Sequence, residues 1–485
     1  MNLKLILRIV AMCVLIAAAF MIPPLIICLL DGEVDVALSF LYTILLSCAF
    51  AGASLLLTKK RSKQFRAREG LAATGLAWIV LSLFGCLPFV ISGQIPNFFD
   101  AYFEIVSGFT TTGASIVPNV EVLSRGILFW RSFSHWLGGM GVLVFLMAVV
   151  PRITKNSGNE LHILRAESPG PSVSKLTPQM RSTAMVLYSI YVGLTVLNVI
   201  FLLAGGMSVF ESLCTAFGTA GTGGFGVKED SLAGYSPYIQ WVTTIFMALF
   251  GLNFNVYFLI LMKKFKKAFF DEEVRAYFFI LISAALVIFI NILSLFDNPA
   301  DSLRHAFFQV SSIMTTTGFS TVDFDLWPVL SKRILLVLMI IGACAGSTGG
   351  GIKVSRFLIV TKTARRSAHN MMQPNRIEVL KLNKQPLSEG LVRNVSAYLA
   401  VYCGIMLMST LLISIDGMSI ETNLSAVCAC FNNIGPGMAL VGPVCNYSQY
   451  SVLSKIVLTL NMLLGRLELY PILILFSRSA WRRGG

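Results

Sequence analysis

The chain has 485 residues, 55% of them hydrophobic and only 13% charged, with a mean hydropathy of +0.75. Soluble domains carry roughly 25% charged residues, so this composition excludes a water-solvated globule and points to a chain solvated by lipid. The formal net charge of +14 does not indicate nucleic-acid binding, because the basic residues concentrate where loops between apolar runs would meet the cytoplasm.

Apolar runs of about 20 residues, the length a bilayer-spanning helix needs, recur from one end of the chain to the other. They predict spans near 5–30, 36–58, 71–93, 127–150, 183–205, 238–262, 277–296, 332–361, 394–415 and 452–477. The first run is too long for a signal-peptide core and no small-residue cleavage site follows it, so it reads as a retained helix. Dense positive charge falls in alternate connectors: Lys59, Lys60, Arg61, Lys63, Arg66 and Arg68; residues 152–181; Lys263, Lys264, Lys266 and Lys267; and residues 353–393. The other connectors are acidic or neutral, with Asp31, Glu33, Asp100, Glu104, Glu229, Asp230, Asp323, Asp325 and Glu421 among their residues. The positive-inside rule therefore predicts a multi-pass protein of the inner (cytoplasmic) membrane. Both termini, marked by Lys4 and Arg8 and by Arg478, Arg482 and Arg483, fall in the cytoplasm, and the acidic connectors face outward, where they concentrate cations.

Four of the outer connectors contain about a dozen moderately apolar residues, too few to cross a membrane: 98–109, 207–217, 299–314 and 420–431. Such segments read as re-entrant half-helices, tolerated at membrane depth only where protein or water surrounds them. Each runs into a turn ending in glycine: Thr110-Thr111-Thr112-Gly113, Gly218-Thr219-Ala220-Gly221, Thr315-Thr316-Thr317-Gly318 and Asn432-Asn433-Ile434-Gly435. The second turn has two registers, because Thr222-Gly223-Gly224-Phe225 also matches Thr316-Thr317-Gly318-Phe319. In the first register the closing glycines are 108, 97 and 117 residues apart, so the repeating unit is roughly one hundred residues long.

Each unit reads span, half-helix, glycine turn, span. The second span is interrupted by a glycine 26 to 30 residues after the turn, at Gly139, Gly251, Gly346 and Gly465. The units occupy 69–152, 182–265, 275–366 and 392–480, preceded by two extra spans within 1–68. Two full spans per unit make the units parallel, whereas the inverted repeats of secondary transporters need an odd number.

Four strands of backbone carbonyls around an axis replace the water shell of a dehydrated cation, and glycine lets successive carbonyls point inward where a Cβ would obstruct. Thr111, Thr112, Gly113, Ala220, Gly221, Thr317, Gly318, Ile434 and Gly435 are the candidate ion-binding residues. Thr110, Thr219, Gly223, Thr316 and Asn433 are alternatives or supports. If the half-helices descend from outside, their carboxyl ends aim partial negative charge at the ion.

The run Gly346, Ser347, Thr348, Gly349, Gly350, Gly351, followed by Ile352 and Lys353, lacks the lysine directly after the last glycine and the preceding strand that a phosphate-binding loop requires. It interrupts an apolar helix instead. Its poor helix propensity predicts an unwound intramembrane loop that serves as a gate. Arg466 lies about 15 residues into its span, roughly 22 Å along a helix, where facing lipid would cost about 3 kcal/mol. It is expected to project into the permeation path, and Glu468, on another face, is not expected to pair with it within the helix.

Ten cysteines without C-x-x-C spacing read as small buried thiols. His135, His162, His305 and His369 are too dispersed for a metal site. His135 is the one histidine placed inside a span, with Arg131 nearby but no triad-like partner, and an enzyme is not expected.

These motifs resemble the Trk/Ktr/HKT superfamily of potassium transport proteins, and within it the TrkH type, over essentially the whole chain. The resemblance rests on the four turns, on Trp136-Leu137-Gly138-Gly139-Met140-Gly141, on the run from Gly342 to Gly351 and on Gly465-Arg466-Leu467-Glu468. It implies an all-α membrane protein with four span–pore-helix–filter–span repeats around a pseudo-fourfold pore. It also implies K+ as the transported ion, a homodimer in membrane lipid, and a cytoplasmic nucleotide-binding regulatory ring of the TrkA kind. The expected function is potassium uptake across the cytoplasmic membrane without an organic cofactor; ion-coupled symport with H+ or Na+ is the alternative.

Overall fold

The computed structural model describes residues 3–58, 67–141, 180–374, 378–477 and 481. Most of the basic connectors at 59–66 and 152–181, His162, the basic tail, and the end of the span expected at 127–150 lie outside these residues.

Helix α1 (Leu3–Phe20) passes through a break at Met21 into α2 (Ile22–Leu30), whose first turn contains proline, and α3 (Val34–Leu57) returns across the bundle. The first repeat comprises α4 (Ala67–Gly85), α5 (Leu87–Ile91), the half-helix α6 (Phe98–Phe109) and α7 (Arg125–Gly139). The second has α8 (Met180–Ala204), α9 (Val209–Gly221), α10 (Pro237–Phe250) and α11 (Phe254–Leu261), with the short α12 (Phe265–Phe269) following. The third has α13 (Glu272–Ile292), α14 (Pro299–Met314), α15 (Val329–Ile340) and α16 (Val354–Met372). A two-residue hairpin of β1 (Lys381–Leu382) and β2 (Gln385–Pro386) leads to the fourth: α17 (Glu389–Ile413), α18 (Ile420–Phe431), α19 (Val452–Arg466) and α20 (Tyr470–Phe476).

The half-helices α6, α9, α14 and α18 share one design. Each is opened by a side chain that accepts a backbone N–H of its first turn, from Asn97, Ser208, Asn298 and Ser419 respectively, and each carries an acid in that turn: Asp100, Glu211, Asp301 and Glu421. Cap and acid satisfy orphan donors and complement the positive helix end. Three half-helices have the bounds expected from the sequence; α9 begins and ends later.

Packing closes the repeats into a ring. The helix after each filter turn lies against the half-helix of the next repeat: α7 on α9, α10 on α14, α15 on α18, and α19 back on α6. The extra helix α1 packs outside the ring on α3 and α4, and α20 also packs on α4.

Among the described residues, six helices are long and apolar enough to cross a membrane: Leu3–Leu30, Val34–Leu57, Arg68–Ile91, Ala184–Ala204, Glu272–Leu295 and Glu389–Asp416. The remaining expected spans, the second in each repeat, are not continuous helices. Helices α10 and α11 meet at 90°, α15 and α16 flank the non-helical 341–353, and α19 stops before Glu468 and Leu469, which both have positive φ. Hydropathy does not register these breaks because the residues around them are themselves apolar. Two glycines next to these breaks are fixed by close packing. A Cβ on Gly138 or on Gly465 would run into the carbonyl that ends the neighbouring half-helix, that of Phe109 or of Phe431. Of the cysteines expected to be buried, Cys48, Cys403 and Cys445 are exposed on the outer surface.

Candidate functional site

Each half-helix ends the same way. Thr112 N–H donates to Ser107 O, Gly223 to Gly218, Thr317 to Ser312 and Ile434 to Ala429, every bond 2.8 Å long. The residue before each of these donors is left-handed: Thr111 at φ 57°, Thr222 at 56°, Thr316 at 60° and Asn433 at 55°. Its own N–H reaches back to the carbonyl three residues earlier. This pair of bonds is a Schellman cap, in which the left-handed place is usually taken by glycine. Two residues on, Gly113, Gly224, Gly318 and Gly435 take φ values of 78°, 78°, 85° and 97°.

These bonds decide the register of the second turn. Thr219 and Ala220, expected in the filter, lie within α9, where the Thr219 hydroxyl bonds the Thr215 carbonyl one turn back. Gly221 ends that helix and corresponds to Thr110, and Gly224 is the closing glycine. The cause is that α9 keeps its helical bonds three residues further than the glycine count suggested, and glycine-rich sequence hides that difference.

The four glycines interlock. A Cβ on Gly113 would strike the carbonyl oxygen of Gly223, one on Gly224 that of Thr317, one on Gly318 that of Ile434, and one on Gly435 that of Thr112. Every turn thus lays its glycine against the carbonyl of the next, and the fourth closes on the first. Only glycine leaves room for that ring.

Side chains brace it from outside. Glu104 and Arg131, both fully buried, form an ion pair at 2.6 Å, and Glu104 also accepts the N–H of Ile116 at 2.9 Å and the Ser115 hydroxyl at 3.0 Å. A buried pair so hydrogen-bonded fixes the strand leaving the first turn. His135 spans two repeats, with Nδ1 2.8 Å from Gly108 O and Nε2 accepting the N–H of Phe225 at 3.2 Å. The bonds define a neutral ring protonated on Nδ1. Tyr447 donates to the carbonyl of Gly435 at 2.7 Å, and Asn433 donates to the Thr112 hydroxyl at 2.9 Å.

On the side where the half-helices end, the run 341–353 folds across the axis. Its ends are joined by a single bridge between Ile341 and Ile352. Cys344 donates to Gly251 O and Phe254 to Gly346 O, which seats the loop in the break between α10 and α11. Gly350 N–H bonds the Thr316 hydroxyl at 2.6 Å, and the Thr348 hydroxyl bonds Phe250 O at 3.3 Å. Lys353 is buried and donates to the carbonyls of Gly349 and Gly350. One carboxylate oxygen of Glu273 accepts the N–H of Ala345 in the loop at 2.7 Å and that of Ser355 in the first turn of α16 at 3.0 Å.

Arg466 completes this layer. Its guanidinium donates to Thr348 O at 2.7 Å, to Gly138 O and Gly139 O at 2.6 Å each, and to the Thr111 hydroxyl at 3.2 Å. It therefore ties the loop of the third repeat to the helix break of the first, directly beneath a filter turn. Glu468 pairs with Arg356. The structure brings the expected residues of turns one, three and four, the loop and Arg466 together on one axis. Thr222 and Gly224 belong to the second of the two registers the sequence offered for that turn, whereas Glu273, Glu104 and Tyr447 were not singled out from the sequence.

Four interlocked helix-turn units inside a lipid-solvated bundle define a membrane transport protein of the four-repeat cation-pore class. Residues 38–482 match the TrkH family, described as cation transport protein. The Trk system potassium uptake protein TrkH of Salmonella typhimurium is 36% identical to this chain, over 99% of it and 100% of the relative. The protein of the same description from Escherichia coli K12 is 34% identical over the same shares. The crystal structure of the potassium transporter TrkH from Vibrio parahaemolyticus aligns with a TM-score of 0.86 and 31% identity, covering 99% of this chain and 100% of that one. The chain belongs to the TrkH family.

Proposed function

We propose that this protein passes potassium selectively into the cell through the ring formed by the four turns. The observation that carries the reading is the closed circle of glycine against neighbouring carbonyl, the arrangement that substitutes for a hydration shell. The choice of potassium is supported by the names of the relatives, which are potassium uptake proteins of the Trk system. The ion ligands are the backbone carbonyls around Thr111, Thr112 and Gly113, Thr222, Gly223 and Gly224, Thr316, Thr317 and Gly318, and Asn433, Ile434 and Gly435. Residues 346–351 with Lys353 form the gate, and Arg466 is a fixed cation at its rim that raises the barrier to conduction.

The protein sits in the inner membrane with its basic connectors and both termini in the cytoplasm. It works as one component of a system: a homodimer in lipid, regulated by a nucleotide-binding ring of the TrkA kind that acts on the cytoplasmic connectors. The four parallel repeats favour a pore over a rocking carrier. Substituting Gly113→Ser tests the filter. The expected result in liposome flux assays is a loss of potassium preference over sodium with expression retained; unchanged selectivity would remove the ring from the permeation path.

A further inference from the structure

Between the second and third repeats, away from the filter, α11, α12, α13 and α16 line an open cavity of about 880 Å³. Its wall is mostly apolar, with Leu252, Tyr257, Ile260, Phe269, Phe278 and Leu358 along it, and Arg275 and Glu272 are its charged lining residues. Beside it α12 and its flanks interleave phenylalanine with lysine: Phe265, Phe269 and Phe270 are 50%, 66% and 70% exposed, and Lys263, Lys264, Lys266 and Lys267 are all exposed between them. This is the pattern of a segment lying in a membrane interface, rings toward the acyl region and ammonium groups toward the headgroups.

The charges around the cavity do not balance. None of the four lysines, nor Arg275, has an acidic partner among the described residues. The acids nearby are already engaged: Asp271 caps α13 and accepts from Asn383 at 2.7 Å, and Glu272 pairs with Lys362. An apolar slot under a rim of uncompensated cations fits a ligand with a hydrocarbon chain and an anionic head. A second copy of this chain would have to bring a matching acidic patch.

We propose that this cavity is a binding site for an anionic phospholipid, with an acyl chain in the slot and the headgroup phosphate held by Arg275 and the lysines of 263–267. Juxtamembrane basic clusters attract anionic lipid in this way, and here the apolar slot adds a fixed seat. Because Leu358 belongs to the helix that leaves the 341–353 loop, an occupied slot lies against the element that carries the gate. Binding itself does not depend on the potassium reading.

The test is native mass spectrometry of the full-length detergent-solubilised protein, titrated separately with dioleoyl phosphatidylglycerol and dioleoyl phosphatidylcholine. The parent protein is expected to retain the glycerol lipid at least about tenfold better. Combined substitution of Lys263, Lys264, Lys266, Lys267 and Arg275 by glutamine should bring the two lipids to parity. The milder Arg275→Gln alone should lower the preference several-fold, which keeps the test decisive if the combined variant is poorly expressed. Ala276→Phe, which fills the slot, should reduce retention of both lipids without changing the oligomeric state. Equal retention of the two lipids by the parent protein, or an undiminished preference in the glutamine variants, overturns the proposal. So does an Ala276→Phe protein that keeps its lipid and loses a subunit, which assigns the face to a second copy. The readout is mass alone, so its failure is distinct from any failure of the transport reading.

Discussion

A threonine with positive φ is an unfavourable backbone state for a β-branched residue, worth roughly 1–3 kcal/mol of local strain. The chain accepts it at Thr111, Thr222 and Thr316, where glycine would cost nothing. The side chains give the reason. The Thr316 hydroxyl receives Gly350 N–H from the loop and the Thr111 hydroxyl receives Arg466, so these two residues turn the backbone into the filter and also grip the layer below it, while the Thr222 hydroxyl bonds the adjacent Gly221 carbonyl. Thr316→Ala is therefore expected to leave potassium preference intact, to leave a buried N–H without its acceptor at a cost of about 1–3 kcal/mol, and to speed flux; Thr316→Ser, which restores the acceptor, should return flux to the parent rate in the same liposome assay. Arg466→Ala releases three carbonyls and that grip together. Faster potassium flux with the fold retained is expected, and slower flux with a lowered melting temperature would assign the arginine to structure alone. Glycines at 113, 318 and 435 were legible in the sequence because their spacing repeats. The threonines' conformation was not, since nothing local distinguishes a left-handed threonine from a helical one. The second turn was ambiguous for the opposite reason: Gly218, Gly221, Gly223 and Gly224 offer several places to bend, and only the hydrogen bonds that extend α9 choose among them.

Among the elements, the half-helices were the easiest to read, because a dozen apolar residues bounded by Asn97, Asn298 or Ser419 and by a threonine or asparagine pair have only one way to end. The helices that follow the turns were expected to be interrupted at Gly139, Gly251, Gly346 and Gly465, and they break at or beside those glycines. Their hydropathy is that of ordinary spans, and tertiary contacts surround the breaks: the Phe109 and Phe431 carbonyls pack against Gly138 and Gly465, and the loop is bonded into the Gly251–Asn253 gap. The unwound 341–353 loop was expected from its glycines, but its anchor was not. A single Glu273 oxygen ties Ala345 of the loop to Ser355 of α16, so that acceptor couples the loop to the helix that follows it. Glu273→Ala should uncouple Ala345 from Ser355 and raise resting potassium flux several-fold, about 1 kcal/mol per lost hydrogen bond. Glu273→Gln keeps an acceptor oxygen in place and should behave nearly as the parent does. If both variants leave flux unaltered, the carboxylate has no hold on the gate.

For the whole molecule, the order of packing explains why four imperfect repeats make one pore. Each post-filter helix rests on the next repeat's half-helix, and α19 on α6 completes the circuit, so no turn is positioned by its own repeat alone. His135 does the same at finer scale, holding Gly108 of one repeat and Phe225 of the next. Membership of the family was readable from motifs spread over the chain; the closure of the ring was not, because it lives in contacts between residues hundreds of positions apart. The most direct measurement is ion flux through the purified protein in liposomes under an imposed gradient, with potassium, rubidium and sodium compared. Potassium and rubidium should pass and sodium should be rejected, with the rejection weakened by Gly113→Ser and equally by Gly224→Ser but not by Ala220→Ser. Sodium passing as readily as potassium, or a Gly224→Ser protein as selective as the parent, would contradict the ring as the seat of selection.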